Sequence, residues 1–116
     1  MNLNHYYYDD AGKLCTTSDV LVWAKYFETA DRTVLKSAAP GYRVSTVFLG
    51  LDHNFHDEGP PVLWETMVFD DSGSGSCLWM DRYTSRRRAW WGHWRGVLWA
   101  WWRSIGDVCR NWREFP

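Results

Sequence analysis

The chain has 116 residues, 13 Lys+Arg against 14 Asp+Glu, 46% hydrophobic residues and 10 tryptophans, which excludes disordered, collagen-like and multi-domain architectures and points to one globular domain. A chain of this length removes roughly two-thirds of its unfolded surface from water, so one core suffices without a disulfide or structural metal. Its longest run free of Asp, Glu, Lys and Arg is residues 72–80, far short of the ~20 apolar residues a membrane-spanning helix requires.

In chain order, His5-Tyr6-Tyr7-Tyr8, Asp9-Asp10-Ala11-Gly12-Lys13 and Leu14-Cys15-Thr16-Thr17 read as a β-hairpin, aromatic and β-branched runs flanking an Asp/Gly turn. Ser18 or Asp19 is placed to cap a helix in which Val20, Trp23, Ala24, Phe27 and Ala30 recur every three or four residues, ending near Asp31. Thr33-Val34-Leu35 is extended, up to a break at Pro40-Gly41. Arg43-Val44-Ser45-Thr46-Val47-Phe48-Leu49-Gly50-Leu51 is apolar without clean alternation, which predicts a central strand covered on both faces. Residues 52–61 end in Gly59-Pro60-Pro61, which lacks ladder donors and must be a loop. Val62-Leu63-Trp64-Glu65-Thr66-Met67-Val68-Phe69 is a second long strand, Ser72-Gly73-Ser74-Gly75-Ser76 a hairpin connection, and residues 77–83 the returning strand.

Residues 86 to about 105 are helical by pattern. At 100° per residue, Trp90, Trp91, Trp94, Leu98, Trp101, Trp102 and Ile105 fall within an arc of about 120°, with Arg88, Arg95 and Arg103 beyond one edge of it. The arc predicts that Trp94, Leu98 and Trp101 face the core, and that Trp99, on the arginine side, lies beyond its reach. The order β-β-α-β-β-β-β-α predicts an α+β fold over residues 1–116, an antiparallel β-sheet with two helices on one face, the C-terminal one long, amphipathic and Trp-rich.

The N-terminus carries neither a basic nor an apolar leader segment, so residence in a cytoplasm is expected. Cys15, Cys77 and Cys109 are odd in number and lack CxxC spacing, and read as reduced, packed thiols. Charge is strongly segregated: residues 1–81 hold 5 basic and 12 acidic side chains, and residues 82–116 hold 8 and 2.

Val44-Ser45-Thr46-Val47-Phe48-Leu49-Gly50-Leu51-Asp52-His53, Gly59-Pro60-Pro61, Trp64-Glu65-Thr66-Met67-Val68-Phe69, Arg82-Tyr83-Thr84, Ala89 and Gly92-His93 together resemble small proteins encoded by bacteriophages and prophages. Asp19-Val20-Leu21, Trp23-Ala24 and Glu28-Thr29-Ala30-Asp31-Arg32 fit the same pattern, so the resemblance spans roughly residues 19–93. It implies a lineage and a bacterial host cytoplasm, and carries no established chemistry. Small phage proteins commonly antagonise host defence, which makes an anti-CRISPR-like inhibitor the most concrete form of the function it implies. This chain departs from the pattern at His56-Asp57-Glu58 and in the tryptophan-rich tail after His93.

For chemistry, the loop from Asp52 through His53 and His56 to Asp57 and Glu58, with Glu65 on the next strand, offers the imidazole and carboxylate ligands that a divalent cation takes. A small metal-dependent hydrolase is therefore one reading. The spacing matches no metal motif, and Asp52 serves equally to hydrogen-bond the loop backbone. His93 stands alone as a histidine at the border of the helix, no nucleophile motif accompanies it, and no phosphate loop is present. Nucleic-acid binding through Arg86-Arg87-Arg88 is disfavoured, because the three arginines point apart and the rest of the chain is acidic. A helix lying in a membrane interface is a further use of a Trp/Arg stripe. The excess of aromatic surface favours a binding protein without a cofactor that contacts a host protein or complex, or its own copy, through Trp91, Arg95, Trp99, Trp102 and Arg103.

Overall fold

The computed structural model describes residues 5–52, 59–71 and 74–112. Strands β1 (His5–Tyr8) and β2 (Leu14–Thr17) form an antiparallel hairpin. The Asp9 carboxylate closes its turn by accepting from the amides of Ala11 and Lys13 at 3.0 and 2.8 Å, the usual service of a short carboxylate in a turn. Helix α1 (Val20–Thr29) begins where Asp19 accepts the Leu21 amide at 2.9 Å and leaves no residue fully buried. It packs on the hairpin rather than on the larger sheet.

Strands β3 (Thr33–Ala39), β4 (Tyr42–Phe48), β5 (Trp64–Asp70) and β6 (Cys77–Tyr83) follow one another as an antiparallel meander in the order β3-β4-β5-β6. The class is α+β as the element order predicts, with the strands divided into a two-stranded and a four-stranded sheet. An isolated bridge between His5 and Leu51 links the two. Phe27 and Trp23 press on the backbone at Gly50, whose φ of +76° and lack of a Cβ permit the approach.

Helix α2 (Arg86–Trp112) runs well past residue 105 and lies along one face of the larger sheet, touching all four strands. Only one face is covered. In β4, Tyr42, Val44, Thr46 and Phe48 are buried while Arg43 is exposed and Ser45 and Val47 are half-buried, so the expectation of cover on both faces fails and the strand alternates after all. Its outward apolar residue hid that alternation, since an antiparallel sheet tolerates a partly wet face.

Beneath α2 the core is two apolar clusters separated by a polar layer. One holds Phe48, Leu63, Trp64, Tyr83 and Ala89, reached by Tyr6 from the hairpin. The other holds Ala39, Tyr42, Val44, Val68 and Ala100. Between them Thr46, Thr66 and His93 are wholly buried. Farther along, Ser104 donates to the carbonyl of Pro40 at 2.7 Å and Tyr42 donates to Asp107 at 2.5 Å, tying α2 to the β3–β4 turn.

Candidate interaction surface on the outer face of the C-terminal helix

α2 starts with Ser85, whose hydroxyl accepts from the Arg88 amide at 3.1 Å and so caps the helix. Arg86, Arg87 and Arg88 fill the first turn, which contains no acidic residue. Positive charge there opposes the helix dipole, and each such charge is unfavourable by a few tenths to about 1 kcal/mol. Among the described residues neither Arg87 nor Arg88 has an ion-pair partner.

The side of α2 pressed on the sheet is made of small residues. Ala89, Gly92, His93, Gly96, Ala100 and Ser104 are buried. A Cβ built on Gly92 would run into the Tyr83 ring and hydroxyl, and one on Gly96 would lie 3.1 Å from Trp79 and 3.2 Å from Thr66. The sheet supplies the bulk, and the helix must be thin to reach it.

The tryptophan arc therefore faces outward, which corrects the expectation drawn from its hydrophobicity. Trp94, Leu98 and Trp101 are 39%, 70% and 46% exposed, and Trp91 and Trp102 are 62% and 68% exposed. Together with Trp90, Ile105 and Val108 they present on the order of 1,000 Å² of mostly apolar surface, at about 150–250 Å² per fully exposed aromatic. The largest patch on an ordinary monomer is roughly 300–600 Å².

Of the five residues assigned to partner binding from the sequence, Trp91, Arg95 and Trp102 stand on or beside this face. Arg95 reaches back to Asp81 at 3.1 Å and, with Arg88 and Trp91, borders a shallow concavity over Tyr83 and Thr84. Trp99 and Arg103 lie elsewhere. Trp99 is half-buried on the flank, packed on the second cluster with its ring edge-on to Tyr42 at 6.5 Å, and the Arg103 guanidinium covers it at 5.5 Å. The core reaches Trp99 because the inward arc is the small-residue arc, turned away from the one that hydrophobicity marks.

His93 is at the centre of the helix–sheet contact, not at its border. Its Nδ1 lies 2.7 Å from the Thr46 hydroxyl and its Nε2 lies 2.8 Å from that of Ser37, while Thr46 and Thr66 share a 2.5 Å hydrogen bond. A neutral imidazole donates through one nitrogen and accepts through the other, and hydroxyls play either part, so the chain is satisfied without charge. Burial pushes the His93 pKa down, which favours that neutral form. Ser37 and His93 have the separation of a nucleophile and its base, yet neither lines the concavity over Tyr83 and Thr84 or the one bordered by Tyr42, Ser104 and Asp107. The network is an internal polar seam.

Of the metal-ligand set, His53, His56, Asp57 and Glu58 lie outside the described residues. Asp52 accepts the Val62 amide at 2.8 Å, the backbone role anticipated for it. Glu65, on the opposite sheet face, is held by Arg82 at 2.8 Å. Among the described residues no three His, Cys, Asp or Glu side chains gather, and no helix is long and apolar enough to cross a membrane. Cys15, Cys77 and Cys109 are free thiols; Cys77 and Cys109 are exposed, against the expectation that they pack.

No protein-family profile, curated protein or solved structure matches the chain.

Proposed function

We propose that this is a binding protein that engages a protein partner through the outer face of α2, and not an enzyme. The observation that carries the reading is an apolar arc on α2 pointing away from a core that the opposite, small-residue arc already completes. Apolar area of this size in water marks an association surface, and exposed Trp beside Arg is the composition of binding anchors. The resemblance to small phage proteins extends the proposal to a host protein or complex as the target, with an anti-defence inhibitor as its most concrete form; that extension rests on analogy and not on the geometry.

The test is affinity capture from a bacterial lysate with wild type and with Trp91→Ala/Trp102→Ala. A specific protein retained by the first and lost by the second, with both chains equally folded, supports the reading. Equal capture by both, or turnover of a nucleotide or phosphoester by the purified chain, overturns it.

A further inference from the structure

We infer that the outer face of α2 pairs with a second copy of the chain, the two helices lying antiparallel; this rests on reading that face as a protein-binding surface. Trp91, Leu98 and Ile105 recur every seven residues, and Trp94, Trp101 and Val108 recur every seven in the alternate position, giving three heptads of an a/d seam. All six are exposed. A strict 3.5-residue repeat serves a helix that packs along another helix, which α2, seated on a sheet, does not do within one chain.

Area and side-chain bulk then select the occupant, and charge its direction. A stable interface removes about 800 Å² from each partner, and the area this face presents is of that order. A two-fold axis between Leu98 and Trp101 sets Trp91 against the partner's Val108, Trp94 against the partner's Ile105 and Trp101 against the partner's Leu98, so a large side chain meets a smaller one at every level and the seam complements its own copy. Parallel pairing would bring two Arg86-Arg87-Arg88 clusters side by side. Antiparallel pairing holds them more than ~30 Å apart at 1.5 Å per residue, several times the ~8 Å screening length. It also lays Arg95 near the partner's Trp102, where a guanidinium stacks on an indole.

Light scattering on the wild-type chain at high micromolar concentration should give twice 13.7 kDa. Leu98→Glu should give the single mass with an unchanged circular dichroism spectrum, since this side chain is exposed. In chains whose remaining cysteines are serine, a short bis-maleimide should join Leu98→Cys to its copy and should fail to join Cys109. A wild-type dimer unaffected by Leu98→Glu, or efficient joining at Cys109, overturns the antiparallel seam. A wild-type monomer overturns self-pairing altogether: if it still loses a lysate partner on Trp102→Ala, the binding reading survives without it; if it instead partitions onto phosphatidylglycerol vesicles, a lipid surface replaces both.

Discussion

His93 shows how one buried side chain sets a pH dependence. With its folded pKa pushed below the ordinary value of about 6.5, the unfolded chain binds the extra proton first as pH falls. Stability is therefore intact above about 6.5 and declines below it, until the folded histidine also titrates, with a slope of at most about 1.4 kcal/mol per pH unit. The groups facing the ring are the uncharged hydroxyls of Ser37 and Thr46. Urea unfolding at about pH 7.5 and about pH 5.5 stays above the range where carboxylates titrate, and His93→Gln should abolish most of the difference between the two. The glycines of α2 make a second residue-scale prediction. Alanine ordinarily stabilises a helix interior by about 1 kcal/mol over glycine. Gly106→Ala, with nothing closer than Arg110 at 3.9 Å, should show that gain. Gly92→Ala, driven into Tyr83, should instead lose ~1–3 kcal/mol, and thermal unfolding of the two variants decides the sign.

At the scale of the element, α2 divides its tryptophans by face rather than by hydrophobicity. Trp91 and Trp102 stand in solvent, so replacing either by Ala should change monomer stability by less than about 0.5 kcal/mol. Trp99, packed on Tyr42 and the second cluster, should cost ~1–3 kcal/mol. Denaturant titrations at low protein concentration separate the two classes, and similar losses at all three positions would mean that α2 is rotated from the orientation described here. The small inner arc was legible in Ala89, Gly92, Gly96, Ala100 and Ser104, four residues apart or nearly so, but hydrophobicity ranks glycine and serine too low to notice.

For the whole molecule, the extents of 63 × 30 × 24 Å and the radius of gyration of 17.4 Å exceed the about 13 Å of a compact chain of this length. The 27 residues of α2 span about 40 Å against about 23 Å for a seven-residue strand, so the helix supplies much of that length. Cohesion is uneven along that length. α1 contributes no buried residue and meets the rest mainly through the hairpin and the Trp23–Gly50 hydrogen bond of 3.2 Å, whereas β4 and β5 carry both clusters and the polar seam. Local opening follows buried contacts, so hydrogen exchange should release the α1 amides well before those of β4 and β5. Simultaneous exchange of both would show one cooperative unit.

The amino-acid sequence alone determined the α+β class, the order of eight elements, a helix cap at Ser18 or Asp19, the Pro40-Gly41 break and the helical arc of tryptophans, because turn chemistry, β-branching and periodicity act within a few residues of chain. It also offered Asp52 a backbone role beside a metal-binding one, and the structure shows the first. Tertiary structure decided which arc of α2 turns inward, where His93 sits, that Trp99 packs against the core, and that the hairpin is a sheet of its own with α1 against it. These depend on what the opposite surface offers. A sheet face filled by Tyr42, Phe48, Trp64, Trp79 and Tyr83 accepts only a thin helix side, and no periodicity within α2 records the size of the residues it will meet.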